Sequence, residues 1–448
     1  MKNFKKLMGI LSIAAVSFTA CKKNDSGSAS FGNRSTSAAD YSQSSLPVVA
    51  VTGDITSSVT WTAGNVYEIS GVVTVRSGAT LTIQPGTFIK SSVNTAGIQN
   101  GVLVIGKDGM INASGTATNP IVFTSRNLLD GNDSTVGKPG DFGGLIVLGN
   151  ATINVKTPGG KLIEGLANES KYYYGGNNDA DNRGILQYVR IEYAGFQLAP
   201  NVEVNGLTLG GVGSGTTIDH VQVSYGLDDG FEFFGGTVNA TNLIALASDD
   251  DQFDFDNGFT GSIQYAIAIA DKNSTHSTSG GSSDSNGIES DNNAPAEDAT
   301  YTLTPKTHPT LANFSIIGTE NTASISGLGY RYGVRERRGS EIDFIDCIIT
   351  GYATGISFDP DASASASSIS TTSVHGFVNS IVASSGTYID GGGNLLAVNA
   401  TNANAFGIAQ PWYNLPGSPS TVNFTGGTNG AIPTGTPDWT TGWTKFVF

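Results

Sequence analysis

A nine-residue pattern that returns after 22 positions constrains this chain more than any other feature. Asp228-Asp229-Gly230-Phe231-Glu232-Phe233-Phe234-Gly235-Gly236 aligns with Asp250-Asp251-Gln252-Phe253-Asp254-Phe255-Asp256-Asn257-Gly258, with Phe on Phe twice. Residues 206–211 fit the same frame 24 positions earlier, and Gly287-Ile288-Glu289, Gly333-Val334-Arg335 and Gly355-Ile356-Ser357 continue it. A strand-like segment precedes each unit, at 220–226, 242–248, 265–271, 312–318 and 346–351. A unit this short cannot bury its own apolar face, so successive units must stack. Two or three short strands in about 22 residues make one turn of a parallel β-helix. Its coils lie ~4.8 Å apart and its inward side chains line up in ladders. Phe231, Phe253, Ile288, Val334 and Ile356 form one expected ladder. An antiparallel sandwich also uses short Gly-bounded strands, but it gives no reason for a fixed frame. The expected class is all-β, a right-handed parallel β-helix with capped ends.

Outside the repeat, β-branched or alternating runs at 72–75, 80–83, 101–106, 121–125, 145–148, 189–193 and 221–225 read as further strands, and no helical period of useful length occurs. The solenoid is expected over residues 48–394, with a C-terminal coil and cap over 395–448. Both ends of a solenoid must be blunted, because an open coil exposes unpaired backbone and apolar core. Trp61 and Tyr67 suit the first cap, and Trp412, Tyr413, Trp439, Trp443, Phe446 and Phe448 suit the second. A sugar-stacking platform is the alternative use of the terminal aromatics.

The first residues read as an export signal. Lys2, Lys5 and Lys6 precede an apolar run from Leu7 to Phe18, ending at Thr19-Ala20-Cys21. That run is shorter than the ~20 residues a membrane span needs, and no later stretch approaches that length. Cys at the cleavage point resembles the bacterial lipoprotein signal, in which the thiol is acylated and becomes the mature first residue; Phe18 stands where Leu is usual. Residues 1–20 are therefore expected to be removed, Cys21 to be lipidated, and the Ser-, Gly- and Ala-rich stretch over 21–47 to act as a flexible tether. The charged residues after Cys21 are similar to those of Bacteroidota lipoproteins sent to the cell surface, so an outer-membrane location is expected. The chain carries 38 Asp or Glu against 23 Lys or Arg, a formal charge of −15, which argues against a nucleic-acid partner. Its two Cys, 21 and 347, supply neither a disulfide framework nor a Cys-rich zinc site, and Cys347 is expected in the core.

Trp61-Thr62, the Gly-Ala-Thr-Leu-Thr-Ile-Gln-Pro-Gly stretch from Gly78 to Gly86, Asp141-Phe142-Gly143-Gly144-Leu145 and Asp228-Asp229-Gly230-Phe231-Glu232 together resemble a family of Bacteroidota secreted or lipidated β-helix proteins. The likeness spans nearly the whole chain after Cys21. It implies a pectate-lyase-like solenoid and little about chemistry.

Period-2 alternation turns Phe231 and Phe253 inward and Glu232 and Asp254 outward, one coil apart, with Glu289, Arg335 and Ser357 next in that row. A second row holds Phe234, Asp256, Asp291, Arg337 and Asp359. Carboxylates stacked ~4.8 Å apart repel, which raises a pKa or demands a cation. Arg335 and Arg337 supply one at one end. At the other, Asp228, Asp229, Asp249, Asp250 and Asp251 crowd the turns with oxygen ligands suited to Ca²⁺. Asp179, Asp181 and Asn182 form a second candidate calcium cluster. The alternative for both groups is turn chemistry, since Asn and Asp bond their own backbone and tolerate left-handed geometry. Ser290 and Glu336 fall on inward positions, so a shift of the Arg rung is expected there. Insertions at 272–285 and 319–328 both enter at the turn before this strand, where repeat proteins often bind.

Three functions follow. The first is a surface lipoprotein holding an extended polymer, best a glycan, on a calcium-assisted acidic face, through Glu232, Asp254, Asp256, Glu289, Asp291, Arg335 and Arg337. The second is an enzyme. Resemblance to polysaccharide lyases would make Glu232, Asp254 and Glu289 calcium ligands and Arg335 or Arg337 the base, whereas a hydrolase would pair two carboxylates as acid and base. The third is a structural or adhesive rod that contacts another surface protein. His220, His276, His308 and His375 share no spacing and are expected to be incidental.

Overall fold

Hydrophobic periodicity and short-range turn chemistry produce the strands first. The computed structural model describes residues 45–93, 101–132, 134–155, 159–195, 204–271, 278–279, 282–318, 331–398 and 428–446. Val72–Val75, Thr80–Ile83, Val102–Ile105, Ile121–Thr124 and Gly144–Leu148 are strands where the alternating runs predict them. Among the described residues, twenty-six strands join one sheet. Pairing is parallel throughout it, the arrangement of a β-helix with three faces. No helix among the described residues is long and apolar enough to cross a membrane. The signal, Cys21 and nearly all of the tether lie outside the described residues, as do most of the two insertions, and Trp412, Tyr413, Phe448 and His276.

The first face stacks Gly144–Leu148, Leu207–Val212, Phe231–Gly236, Phe253–Asp256, Ile288–Ser290 and Tyr332–Glu336 in that order. Longer strands such as Thr217–Ser224, Ala240–Leu246 and Ser262–Ile269 serve the second and third faces and turn a corner midway. At that corner Tyr188, His220, Asn242, Tyr265, Asn313 and Asp346 form a column with φ of 50 to 61°. The pairing register steps over this column and resumes on either side of it. A left-handed residue costs roughly 1–2 kcal/mol, which the continuous ladders on both flanks offset.

Inside, Leu207, Phe231, Phe253, Ile288, Val334 and Ile356 stand in one register, the expected ladder. The Phe231 and Phe253 rings stack 4.9 Å apart at 5°. Trp61 and Tyr67, stacked at 4.7 Å, fill the first coil. The Arg rung is not shifted. Phe255, Ser290, Glu336 and Phe358 keep one inward register, so the interior accepts a polar step, and buried Glu336 takes a hydrogen bond from Ser367 Oγ at 2.9 Å. Cys347 is fully buried in the core, where burial pushes its thiol up to about 12.

The described C-terminal aromatics, Trp439, Trp443 and Phe446, pack on a flank of the solenoid and not over its last coil. Residues 428–446 run back along the outside of the third face. Gly430 N–H donates to Asp346 O, Ala431 N–H to Ser315 Oγ, and Lys445 exchanges two bonds with Gln222. Trp443 is fully buried against this flank, with Tyr188 and His220 edge-on, which leaves it no surface for a sugar. The physical reason is the flank itself: Ile244 and Ile267, Ile348 beyond Ser315, and the neighbouring row of Leu246, Ile269 and Ile317 form an outward apolar surface that needs a cover. In the last coil, Ile389, Leu395, Leu396 and Val398 remain exposed among the described residues.

Between Leu148 and Gly184 the chain leaves the coil. Residues 149–155 run parallel to the solenoid axis: Ala151 N–H donates to Gly211 O, Gly236 N–H to Thr152 O, and Asn154 N–H to Asn257 O. A small antiparallel hairpin, Lys161–Leu162 with Tyr173–Tyr174, then folds over the first face. Ile153, Ile163, Tyr172 and Tyr174 cover outward Val102, Val104, Ile146, Leu148 and Phe234. Tyr174 packs so closely that a Cβ on Gly210 would lie 2.8 Å from its ring.

Candidate functional site

The repeat frame sets the outer face of the first sheet. Thr208, Glu232, Asp254, Glu289, Arg335 and Ser357 stand in one register, coil upon coil, as alternation requires. Phe234 pairs with Asp256, and the second row continues through Asp291, Arg337 and Asp359, tied by Asp291 N–H to Phe255 O, Arg337 N–H to Ser290 O and Asp359 N–H to Glu336 O.

The turn entering this face carries its own ladder. Asp229 N–H donates to Asn205 Oδ1 at 3.2 Å, Asp251 N–H to Asp229 Oδ1 at 2.9 Å, and Asn286 N–H to Asp251 Oδ1 at 2.5 Å. One oxygen of Asn205, Asp229 and Asp251 thus holds the next coil, and Asn286 ends the ladder as its last donor. The other polar atom is free to meet the outer row. In Asn205 and Asn286 that atom is an NH₂, which donates to Glu232 and to Glu289. In Asp229 and Asp251 it is an oxygen. Three groups of carboxylate oxygens result, each within 4.8 Å: Asp228, Asp229 and Asp250; Asp229, Glu232 and Asp254; Asp251, Asp254 and Glu289.

The face is not open, as the sequence alone suggested. Glu232, Asp251 and Glu289 are only 5%, 3% and 6% exposed. The excursion roofs them: Glu164 hydrogen-bonds with Glu232, Asn205 donates to both, and Lys161 and Tyr174 reach Asn257 Oδ1 at 2.6 and 3.1 Å. Asp228, Asp250, Asp254 and Asp256 keep partial access to solvent. Burial, followed by mutual repulsion, raises the pKa of Asp229, Glu232, Asp251 and Asp254 well above the usual carboxylate range. Burial also lifts Glu164 to about 7 and Glu289 to about 8, the latter although Arg337 pulls it down; it lifts Asp256 to about 6 against Lys161.

Charge is compensated at one end only. Arg337 binds Glu289 and Asp291, Arg335 binds Asp284 and, at 3.0 Å, Asp359, and Arg338 binds Asp291. Against its burial, Asp291, Glu289 and Asp284 raise the pKa of Arg337, so it is held as a cation, the opposite of what a proton-abstracting base requires. Arg335 is held the same way by Asp284, Glu289 and Asp359. No Lys or Arg among the described residues forms an ion pair with Asp229, Glu232, Asp251 or Asp254. Asp254 Oδ1 and the fully buried Asn286 Oδ1 lack hydrogen-bond partners.

Asp179, Asp181 and Asn182 are used for folding and not gathered as a calcium loop. Asp181 clasps Arg183 Nε and Nη2, both at 2.9 Å, Asp179 Oδ1 accepts Thr152 N–H, and Asn182 Oδ1 accepts Gly184 N–H. They are spent because the excursion must be pinned where it leaves and rejoins the coil. His220 bonds Asp219 at 2.7 Å and His308 lies between Glu341 and Asp343, neither on this face.

Sequence reasoning passed over Glu164, Lys161, Tyr174, Asn205 and Asn286. Asn205 and Asn286 were accessible, since Asn205-Gly206, Asp229-Gly230 and Asn286-Gly287 share the repeat frame. The signal for a roof was also present: Val102–Ile105 and Leu145–Leu148 are apolar at every position, as strands buried on both sides are.

No curated protein matches the sequence. Among solved structures, tailspike protein 2 of the Escherichia coli O157:H7 bacteriophage CAB120 aligns at 14% identity and a TM-score of 0.30, over 78% of this chain and 37% of the tailspike. The chain therefore spans little more than a third of that protein. Residues 53–444 match the pectate-lyase-like β-helix domain, and the chain belongs to that family.

Proposed function

We propose that this chain is a lipid-anchored outer-membrane protein that holds an extended glycan on the excursion side of its β-helix, above calcium-binding carboxylates. The observation that carries the reading is a pair of clefts on the roof of the acidic face. One, of about 430 Å³, is lined by Lys161, Leu162, Tyr173 and Glu297; the other, of about 420 Å³, by Lys107, Asn168, Ser170 and Tyr173. Tyr173 is the wall between them, half-buried, with its hydroxyl on Asn168. Adjoining hollows divided by an aromatic ring suit consecutive pyranose units, whose apolar faces stack on rings and whose hydroxyls bond amide, hydroxyl and charged groups. Membership of a family named for pectate lyase supports a polysaccharide as the polymer.

Calcium fits the donor set beneath the roof, which is all oxygen and includes the unpartnered Asp254 Oδ1. Asp229, Glu232, Asp251, Asp254 and Glu289 would hold it, and its charge would offset their repulsion. Catalytic readings draw less support. The arginines that would serve as the base are held cationic by the carboxylates around them.

The test is retention on a polysaccharide array. Binding without loss of polymer length is expected, and Tyr173→Ala is expected to weaken it roughly ten-fold. Shortened uronate chains with new ultraviolet absorbance would instead establish a lyase, and retention of protein partners alone would establish an adhesive rod. Anchoring is tested separately: Cys21→Ser should move the protein from the membrane to the soluble fraction.

A further inference from the structure

The turn ladder occupies one position in four successive coils with Asn205, Asp229, Asp251 and Asn286. Asn205 performs the structural task as well as Asp does, because only Oδ1 is needed to accept the next coil's N–H. The outer two positions keep Asn: the NH₂ of Asn205 donates to Glu232, and that of Asn286 donates to Asp284 O at 2.8 Å and reaches Glu289 at 3.5 Å. The inner two replace that donor by a second oxygen, pointed at carboxylates already short of donors. Structure alone favours Asn at both inner positions, since a buried carboxylate with no cation or second donor to offset its charge is destabilising. The change from NH₂ to oxygen is what a cation site requires.

We propose that the inner rungs form two divalent-cation sites, one framed by Asp229, Glu232 and Asp254 and the other by Asp251, Asp254 and Glu289, with Asp254 bridging them. This deepens the calcium element of the function proposed above and needs no glycan. Two observations beyond the grouping of acids support it. Asp254 belongs to both sets, and its Oδ1 is enclosed and has no hydrogen-bond partner. Asn286 lies between Asp251, which its backbone N–H bonds, and Glu289, which its side chain bonds, and its fully buried Oδ1 is also unpartnered. Among the described residues Asp229, Glu232, Asp251 and Asp254 form no ion pair, and only Glu289 of the five is bound by Arg337, so the inner carboxylates match hard divalent ions; Ca²⁺ accepts mono- or bidentate carboxylates in flexible geometry. The ions would sit about one coil apart, ~4.8 Å, a spacing one carboxylate can bridge. Half-exposed Asp228 and Asp250 flank the entrance.

The experiment titrates Ca²⁺ into chelator-treated protein by calorimetry, with Tb³⁺ luminescence as a second readout and no glycan present. Two equivalents per chain are expected. Asp229→Asn and Asp251→Asn, which preserve the ladder acceptor, should each remove one equivalent, and Asp254→Asn both. No uptake by the wild-type chain would overturn the proposal, as would two equivalents persisting in Asp254→Asn. Loss of both equivalents in Asp229→Asn with none lost in Asp251→Asn would also sink it. If Asp254→Asn fails to fold, the other two variants still decide the matter. A failed glycan array with two equivalents bound would count against the glycan reading and leave the cation sites standing.

Discussion

At the scale of single residues, the acids of this molecule do two different jobs. Those of the outer row were legible, because strict alternation from Phe231 and Phe253 fixes which neighbours face outward. Glu336 was legible only as an anomaly: it falls on an inward position, and the structure keeps it there, fully buried, with Ser367 as its partner. Burial raises its pKa well above the ordinary value. A raised folded-state pKa means the folded chain binds this proton more tightly. Its stabilising effect is complete below the unfolded value near 4.3 and is lost as pH rises toward the folded value. The loss is up to about 1.4 kcal/mol per pH unit within that window. Glu336→Gln, isosteric and neutral, should therefore be more stable than wild type at pH 7, with an advantage that widens between pH 5 and 8. Urea unfolding across that range checks this; a difference flat with pH would remove Glu336 as a titrating core group.

At the scale of elements, strands followed from the 22-residue frame because each coil repeats the same burial problem. The excursion over 149–182 did not, since it occurs once and its Gly, Asn and Asp look like loop. Its apolar residues, Ile153, Ile163, Tyr172 and Tyr174, belong to no repeat and so needed a separate surface. Glu164 could not be read from the sequence at all: its partners Asn205 and Glu232 lie in other coils, and nothing local to Glu164 specifies them. Tyr174 is the main fastening, fully buried against Phe234 and over Gly210, with its hydroxyl on Asn257. Tyr174→Ala should cost roughly 3–5 kcal/mol of excursion docking, and Tyr174→Phe about 1 kcal/mol. Hydrogen exchange should then quicken over 149–182 while Phe231–Gly236 and Phe253–Asp256 stay protected. Equal acceleration throughout would show that the excursion and the coils open as one unit.

At the scale of the whole molecule, a solenoid's stability is close to a sum of neighbouring contacts, so distant coils are coupled only if something spans them. Residues 428–446 do so. The aromatic content of the C-terminal region pointed to a cover, but composition cannot tell an end cap from a lateral one; that depends on the outward apolar surface around Ile244, Ile267 and Ile269. Trp443→Ala should cost roughly 3–5 kcal/mol and expose this segment to limited proteolysis, with fragments ending near 428. Resistance unchanged from wild type would mean the bonds to Gln222 and Ser315 suffice. The same segment touches the solenoid at fixed stations: Asp346 and Ser315 at one end, Gln222 and Arg190 at the other. A winding error that added or dropped a coil between those stations would displace one end by about 4.8 Å, and both could no longer engage. The tail is thus a gauge of coil number, which accepts only a correctly counted rod.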